Sequence, residues 1–157
     1  MEYKIQPYRK GQEKDISKLV GKVYDEYVAP DYTEKGNRFF YDWIEPEKIA
    51  DRQVEQSNLL VATNNTRIIG MIEIRENRNI SLLFVDQNYH GKGIARELYK
   101  AALEICCSRD KQLNKFYVHA SPFSIPVYER LGFKATGKMQ EEHGIKYLPM
   151  EMDLKNN

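Results

Sequence analysis

Apolar positions in this chain recur with two periods, and the switches between them mark out the elements. Residues 3–8 alternate, Tyr3 and Ile5 facing one way and Lys4 and Gln6 the other, which predicts a strand that Gly11 ends. From Asp15 the spacing changes. Ile16, Leu19, Val20, Val23, Tyr24 and Tyr27 fall on one side of an amphipathic helix, stopped by Ala29-Pro30-Asp31. Phe39, Phe40, Trp43, Ile44, Ile49 and Val54 predict a second helical region over 37–56, split by Pro46, whose missing N–H is tolerated only in a first turn. Residues 59–63 and 68–75 read as a hairpin about Asn64-Asn65-Thr66, with Ile68, Gly70, Ile72 and Ile74 on one face and Met71 and Glu73 on the other. After a turn at 76–79, the apolar run 80–85 predicts a buried strand.

A polar turn at 86–90 then leads into Gly91-Lys92-Gly93 and a helix. Ile94, Leu98, Ala101 or Ala102 and Ile105 share its apolar face; Arg96, Glu97, Lys100 and Glu104 stay wet. Residues 116–120 form the next strand, Phe116 and Val118 alternating with Tyr117 and His119. Ser124 is the expected cap of a short helix that ends at Leu131-Gly132. Residues 133–139 and 147–154 read as two strands around a turn at Glu142-His143-Gly144. Leu148, Met150, Met152 and Leu154 share one face of the last, and Pro149 suggests an edge or a bulge.

The order is β-α-α-β-β-β-α-β-α-β-β, with about seven strands. Consecutive hairpins imply antiparallel pairing and the following β-α-β implies a parallel crossover, so the fold class is α/β (α+β): a mixed, mostly antiparallel sheet with helices on both faces. At 157 residues a single domain over 1–157 is expected. The formal net charge of +1 gives no argument for nucleic acid or for an anionic membrane surface. No window reaches the apolar length of a membrane span, and Met1-Glu2-Tyr3-Lys4 does not open a signal peptide, so a cytoplasmic setting is expected. Neighbouring Cys106 and Cys107 diverge on a helix; neither a disulfide between them nor a metal site is expected.

The strand feeding Gly91-Lys92-Gly93 is the chemical signal. A helix N-terminus has unpaired N–H groups and the positive end of the dipole, and glycines let backbone close on an anion. Neither a Walker phosphate loop nor a dinucleotide fingerprint fits, since Arg96 stands where the latter needs its third glycine.

The string 90–95, His-Gly-Lys-Gly-Ile-Ala, resembles the acyl-coenzyme A signature of the GNAT N-acetyltransferase superfamily, Gln/Arg-x-x-Gly-x-Gly/Ala, with His90 departing from Gln/Arg. Residues 121–133, closing on Tyr128-Glu129-Arg130-Leu131-Gly132-Phe133, resemble a second family segment, and Pro149-Met150 resembles a recurring family ending. The element order is similar to that fold over nearly the whole chain.

The resemblance implies that the two central parallel strands splay, that pantetheine lies against Leu83, Phe84 and Val85, and that acetyl-CoA phosphates meet His90, Gly91, Lys92, Gly93, Ile94, Ala95 and Arg96. Ser121, Phe123 and Tyr128 complete the cofactor side, and an N–H near Val85 is the implied oxyanion donor. Tyr128 is then expected at the departing thiolate. A phenol near pKa ~10 facing a thiol near ~8.5 makes full proton transfer cost roughly 2 kcal/mol, so a hydrogen bond serves as well. Glu73 and His119 are the candidate general bases. The implied activity is acetyl transfer to a primary amine of a small molecule or peptide through a tetrahedral intermediate. Its acceptor wall would combine Tyr24, Tyr27, Tyr32, Phe39, Phe40, Tyr41 and Trp43 with Asp25, Glu26, Asp31, Asp42 and Glu45, a setting suited to an amine cation. A homodimer is compatible with this reading. The alternative is a non-catalytic acyl-CoA-binding regulatory or partner-binding module, which Tyr128 disfavours.

Overall fold

Why the sheet forms as it does is visible in its hairpins. The computed structural model describes residues 2–56 and 58–154. Its strands are β1 (Lys4–Pro7), β2 (Leu59–Asn64), β3 (Arg67–Arg75), β4 (Asn79–Val85), β5 (Lys115–Ala120), β6 (Lys134–Ala135), β7 (Gln140–Glu142) and β8 (Ile145–Asp153). The helices are α1 (Glu13–Tyr27), α2 (Glu34–Trp43), α3 (Pro46–Glu55), α4 (Ile94–Arg109) and α5 (Ile125–Leu131). Pro46 starts α3, where its missing N–H costs nothing. The strands lie in the order β1-β2-β3-β4-β5-β8-β6, with β7 also pairing β8. All neighbours are antiparallel except β4 and β5, which α4 connects by a crossover.

Two cores flank the sheet. On one face Ile94, Leu98, Tyr99, Ala102 and Cys106 of α4 pack with Ile72, Ile74, Phe116, Val118 and Met150. On the other, Ile16, Leu19, Val20 and Val23 of α1 and Ile49 of α3 pack with Val61, Ile68, Met71 and Leu82. No helix of the described residues is long and apolar enough to cross a membrane.

Several local expectations are corrected. Ile68 packs with Met71, not with Ile72 and Ile74, because Ile69 is an extra residue on β3 where Ala62 and Thr63 pair with Gly70 and Ile68. On α4, Tyr99 and Cys106 are buried and Ile105 only half so. Val54 stays in solvent. The strand expected over 133–139 is broken: β6 has two residues, and pairing resumes only at Gln140. Pro149 is interior, between β5 and the β6–β7 gap. Its carbonyl accepts from Thr136 N–H on the gap side, so its missing N–H also faces a stretch without a ladder. Ser124 precedes α5 without capping it; its hydroxyl donates back to the Ser121 carbonyl at 3.0 Å.

Candidate active site

The ladder between β4 and β5 stops almost where it starts. Asn79 pairs with Tyr117 and Ile80 with Val118, and pairing goes no further. The cause is local. Ser81 is an extra residue on β4, since Ile80 pairs with Ile74 but Leu82 with Glu73. A bulge bends and twists its own strand, and this one does so at the point where β4 leaves β5. Asp86 N–H donates to the Ile69 carbonyl of β3 at 2.8 Å. Backbone groups alternate along a strand, so those of Leu83 and Val85 aim into the gap.

A cavity of about 960 Å³ occupies the gap and runs to both faces of the sheet. At one end it is lined by His90, Gly91, Gly93, Ile94, Ala95 and Arg96. Gly91 and Gly93 have φ of +77° and +80°, a left-handed backbone that disfavours side chains. A Cβ at either position would meet nothing within 4 Å, so glycine serves conformation there and leaves the amides bare. The first intrahelical bond runs from Glu97 N–H to the Gly93 carbonyl, and no side chain caps α4. The N–H groups of Ile94, Ala95 and Arg96 therefore stay available to an anion. Lys92 is exposed and does not line the cavity.

His90 does more than occupy a motif position. Its Nε2 donates to the Val85 carbonyl at 2.8 Å, and because a carbonyl only accepts, this puts the proton on Nε2. The ring ties the turn to the end of β4. It also sits 5.5 Å from Tyr27, which stacks on Phe123 at 4.6 Å, so α1 and the turn before α5 meet across the cleft. The Leu83 N–H and C=O and the Val85 N–H, whose carbonyl is already taken by His90, together with the bare amides of α4 and the nearby Arg96 and Arg130, fit an amide-bearing arm ending in phosphates.

Tyr128 lines the middle of the cavity and is 5% exposed, edge-on to Phe133 at 5.5 Å. Burial pushes its phenol above the usual range, so it stays protonated and serves as a hydrogen-bond donor. Ser121 and Phe123 line the same wall.

The two candidate bases separate. Glu73 is buried against α3, where Arg52 Nε and Nη2 donate to its two oxygens at 3.0 Å each and Gln53 Nε2 donates at 2.6 Å. Arg52 is held in turn by the Trp43 carbonyl and lies over the Trp43 ring at 4.1 Å. Both Glu73 oxygens are engaged and the residue does not line the cavity. Glu73, expected as a candidate base, is placed here in a buried ion pair joining sheet to helix, away from the cavity wall. His119 does line the cavity, stacked on Tyr147 at 4.1 Å. Desolvation lowers its pKa, Glu142 opposes this and Arg75 adds to it, so the imidazole is neutral and able to accept a proton near neutral pH.

The acceptor wall differs from expectation in its charge. Tyr24, Tyr32, Phe39, Phe40 and Trp43 line the cavity, whereas Tyr27 and Tyr41 do not. None of Asp25, Glu26, Asp31, Asp42 and Glu45 reaches it. Asp25 accepts from Tyr41 and Asp42 from Lys48, the ordinary fate of carboxylates on wet helix faces. The rings pack tightly: Tyr24 stacks on Phe40 at 3.8 Å and donates to Asn37 at 2.7 Å. Over them, the β7–β8 turn docks on the start of α2. Thr33 N–H and hydroxyl both donate to the Gly144 carbonyl at 3.2 Å, and Phe39 stacks on His143 at 5.3 Å.

Sequence reasoning missed Arg75 and Arg130 in the cavity wall and Arg52 behind it. Arg130 stood inside a motif already singled out. Arg75 and Arg52 carry no local signal, because their roles arise from strand register and helix docking.

A family model described as an acetyltransferase (GNAT) domain matches residues 28–154. Among solved structures, a GCN5-related N-acetyltransferase from Rhodopseudomonas palustris is 19% identical with a TM-score of 0.83, covering 98% of this chain and 97% of that one. The PaiA N-acetyltransferase from Thermoplasma acidophilum, in complex with coenzyme A, is 17% identical with a TM-score of 0.77, covering 98% and 99%. The ribosomal-protein-S18-alanine N-acetyltransferase from Escherichia coli is 14% identical with a TM-score of 0.67, covering 98% and 94%. At such identities the likeness concerns the fold.

Proposed function

Because this chain belongs to the GNAT acetyltransferase family, we propose that it is an acetyl-CoA-dependent N-acetyltransferase acting on a primary amine of a small molecule or peptide. The observation that carries the reading is the β4–β5 gap. Its unpaired Leu83 backbone and Val85 N–H lead from the bare amides of α4 to Tyr128. The coenzyme A bound to a neighbour of the same fold supports the choice of donor.

When bound, the thioester supplies the acetyl group and a thiolate leaving group. The protein's own groups do the rest. His119, neutral near pH 7, takes a proton from the incoming amine, directly or through water. Val85 N–H, aimed into the gap, is the donor for charge developing on the carbonyl oxygen. Tyr128, still protonated, donates a hydrogen bond to the departing sulfur. Its raised pKa favours a retained proton over complete transfer, since the donor is a weaker acid than the thiol it would protonate.

The test is free-thiol release from acetyl-CoA across polyamines, aminoglycosides, amino acids and peptides, repeated with Tyr128→Phe. That variant keeps the ring and removes the hydroxyl. Turnover with at least one amine is expected, with kcat falling about 10- to 1000-fold in the variant while acetyl-CoA affinity holds. Coenzyme A binding without turnover on any amine would replace this reading with a binding module.

A further inference from the structure

The acceptor half of the cavity carries charge of one sign. Along β3, Met71, Glu73 and Arg75 share the face that packs toward α1 and α3, and Glu73 is already bound to α3. Arg75, at the strand end, is exposed and lines the cavity, and among the described residues its guanidinium has no hydrogen-bond or ion-pair partner. Its charge reaches His119, across the mouth on β5. Among the described residues no aspartate or glutamate lines the cavity. Glu76 accepts from Asn79 Nδ2 at 3.2 Å through one oxygen and does not line the cavity, and Glu142, which acts on His119 more strongly than Arg75 does, stays on β7 outside the wall. The other lining arginines, Arg96 and Arg130, belong to α4 and α5 on the opposite face, at the side read above as the cofactor's.

Such a mouth is unfavourable for a bare cation. A polyamine would bring further ammonium groups to a guanidinium with no carboxylate beside it in the cavity wall. An amine that also carries a carboxylate meets a different site. The guanidinium offers paired N–H donors that match a carboxylate. Its field also favours the neutral form of an adjacent amine, which is the nucleophilic form. Resting on the acetyltransferase reading above, we infer that the acceptor is an amine bearing a carboxylate, an amino acid or ω-amino acid, held at the cavity mouth by Arg75 and delivered to His119.

Matched pairs of amines differing only in the carboxylate provide the test: L-phenylalanine and phenethylamine, 4-aminobutyrate and butylamine, with spermidine as the polycation. Thiol release should show kcat/KM at least about 10-fold higher for the carboxylated member of one pair, and lowest for spermidine, as expected for one exposed charge-assisted contact. Arg75→Gln should erase the difference through the acceptor KM while the acetyl-CoA KM is unchanged. Turnover of the plain amines or spermidine at equal or better kcat/KM overturns this inference and leaves the acetyltransferase reading standing. Persistence of the preference in a folded Arg75→Gln enzyme overturns it as well. Failure of every amine, with coenzyme A still bound in calorimetry, overturns the acetyltransferase reading and this inference with it.

Discussion

Glu73 and His119 are alike in the sequence, each a titratable residue on a strand beside the centre of the sheet. Their surroundings divide them. Glu73 meets a guanidinium 21 residues away and an amide 20 residues away, and such pairing depends on how α3 docks, which local patterning does not encode. His119 faces the cavity between Arg75 and Glu142. Its lowered pKa fixes the sign of a pH effect. The neutral imidazole is the active form, so kcat/KM should fall as pH drops through a pKa below the ordinary histidine range, and remain level above it. Arg75→Gln removes a charge that lowers this pKa, so the acid limb should move to higher pH. His119→Gln should lose the limb together with most of the rate. A limb that stays in place in Arg75→Gln, measured on an acceptor without a carboxylate, would assign it to another group.

At the scale of elements, α2 and the β7–β8 turn form a roof over the aromatic wall, built on the close approach of two glycines. A Cβ on Gly36 would run into the Gly144 carbonyl oxygen. Gly36 is otherwise an ordinary position of α2, where alanine favours a helix by about 1 kcal/mol. Gly36→Ala thus sets helix propensity against docking, and overpacking of about 1–3 kcal/mol should win. We expect lower stability in urea unfolding and a raised acceptor KM, with coenzyme A affinity intact. Unchanged stability and KM would mean that the roof moves aside freely. The elements themselves were largely legible, since the α1 face, the Pro46 break and the β2–β3 hairpin follow from spacing alone. The two bulges were not. Ile69 and Ser81 look like any strand residues, yet one turns Ile68 to the opposite face and the other begins the splay. A one-residue slip in pairing is a property of two strands together, invisible in either one.

For the molecule as a whole, the Ser81 bulge leaves the sheet in two halves. β1 to β4 form one and β5, β8, β6 and β7 the other, joined through the two residue pairs Asn79–Tyr117 and Ile80–Val118. The cores and α4 hold them together, but the backbone of Leu83 and Val85 lacks the strand that would complete it. A ligand lying in the gap should act as that strand and tie the halves together. Coenzyme A at 100 times its dissociation constant should then stabilise the fold by about 2.7 kcal/mol, raising Tm by roughly 5–10 °C. Amide hydrogen exchange should slow at Leu83 and Val85 as well as at Ile94, Ala95 and Arg96. Gly93→Val supplies the control. A β-branched residue at φ +80° distorts the turn into α4 without touching the core, because the position opens onto free space. In that variant both the stabilisation and the protection in the gap should be lost while the free protein stays folded. Full stabilisation of Gly93→Val, or protection confined to α4, would place the ligand outside the gap and separate the anion site from the splayed strands.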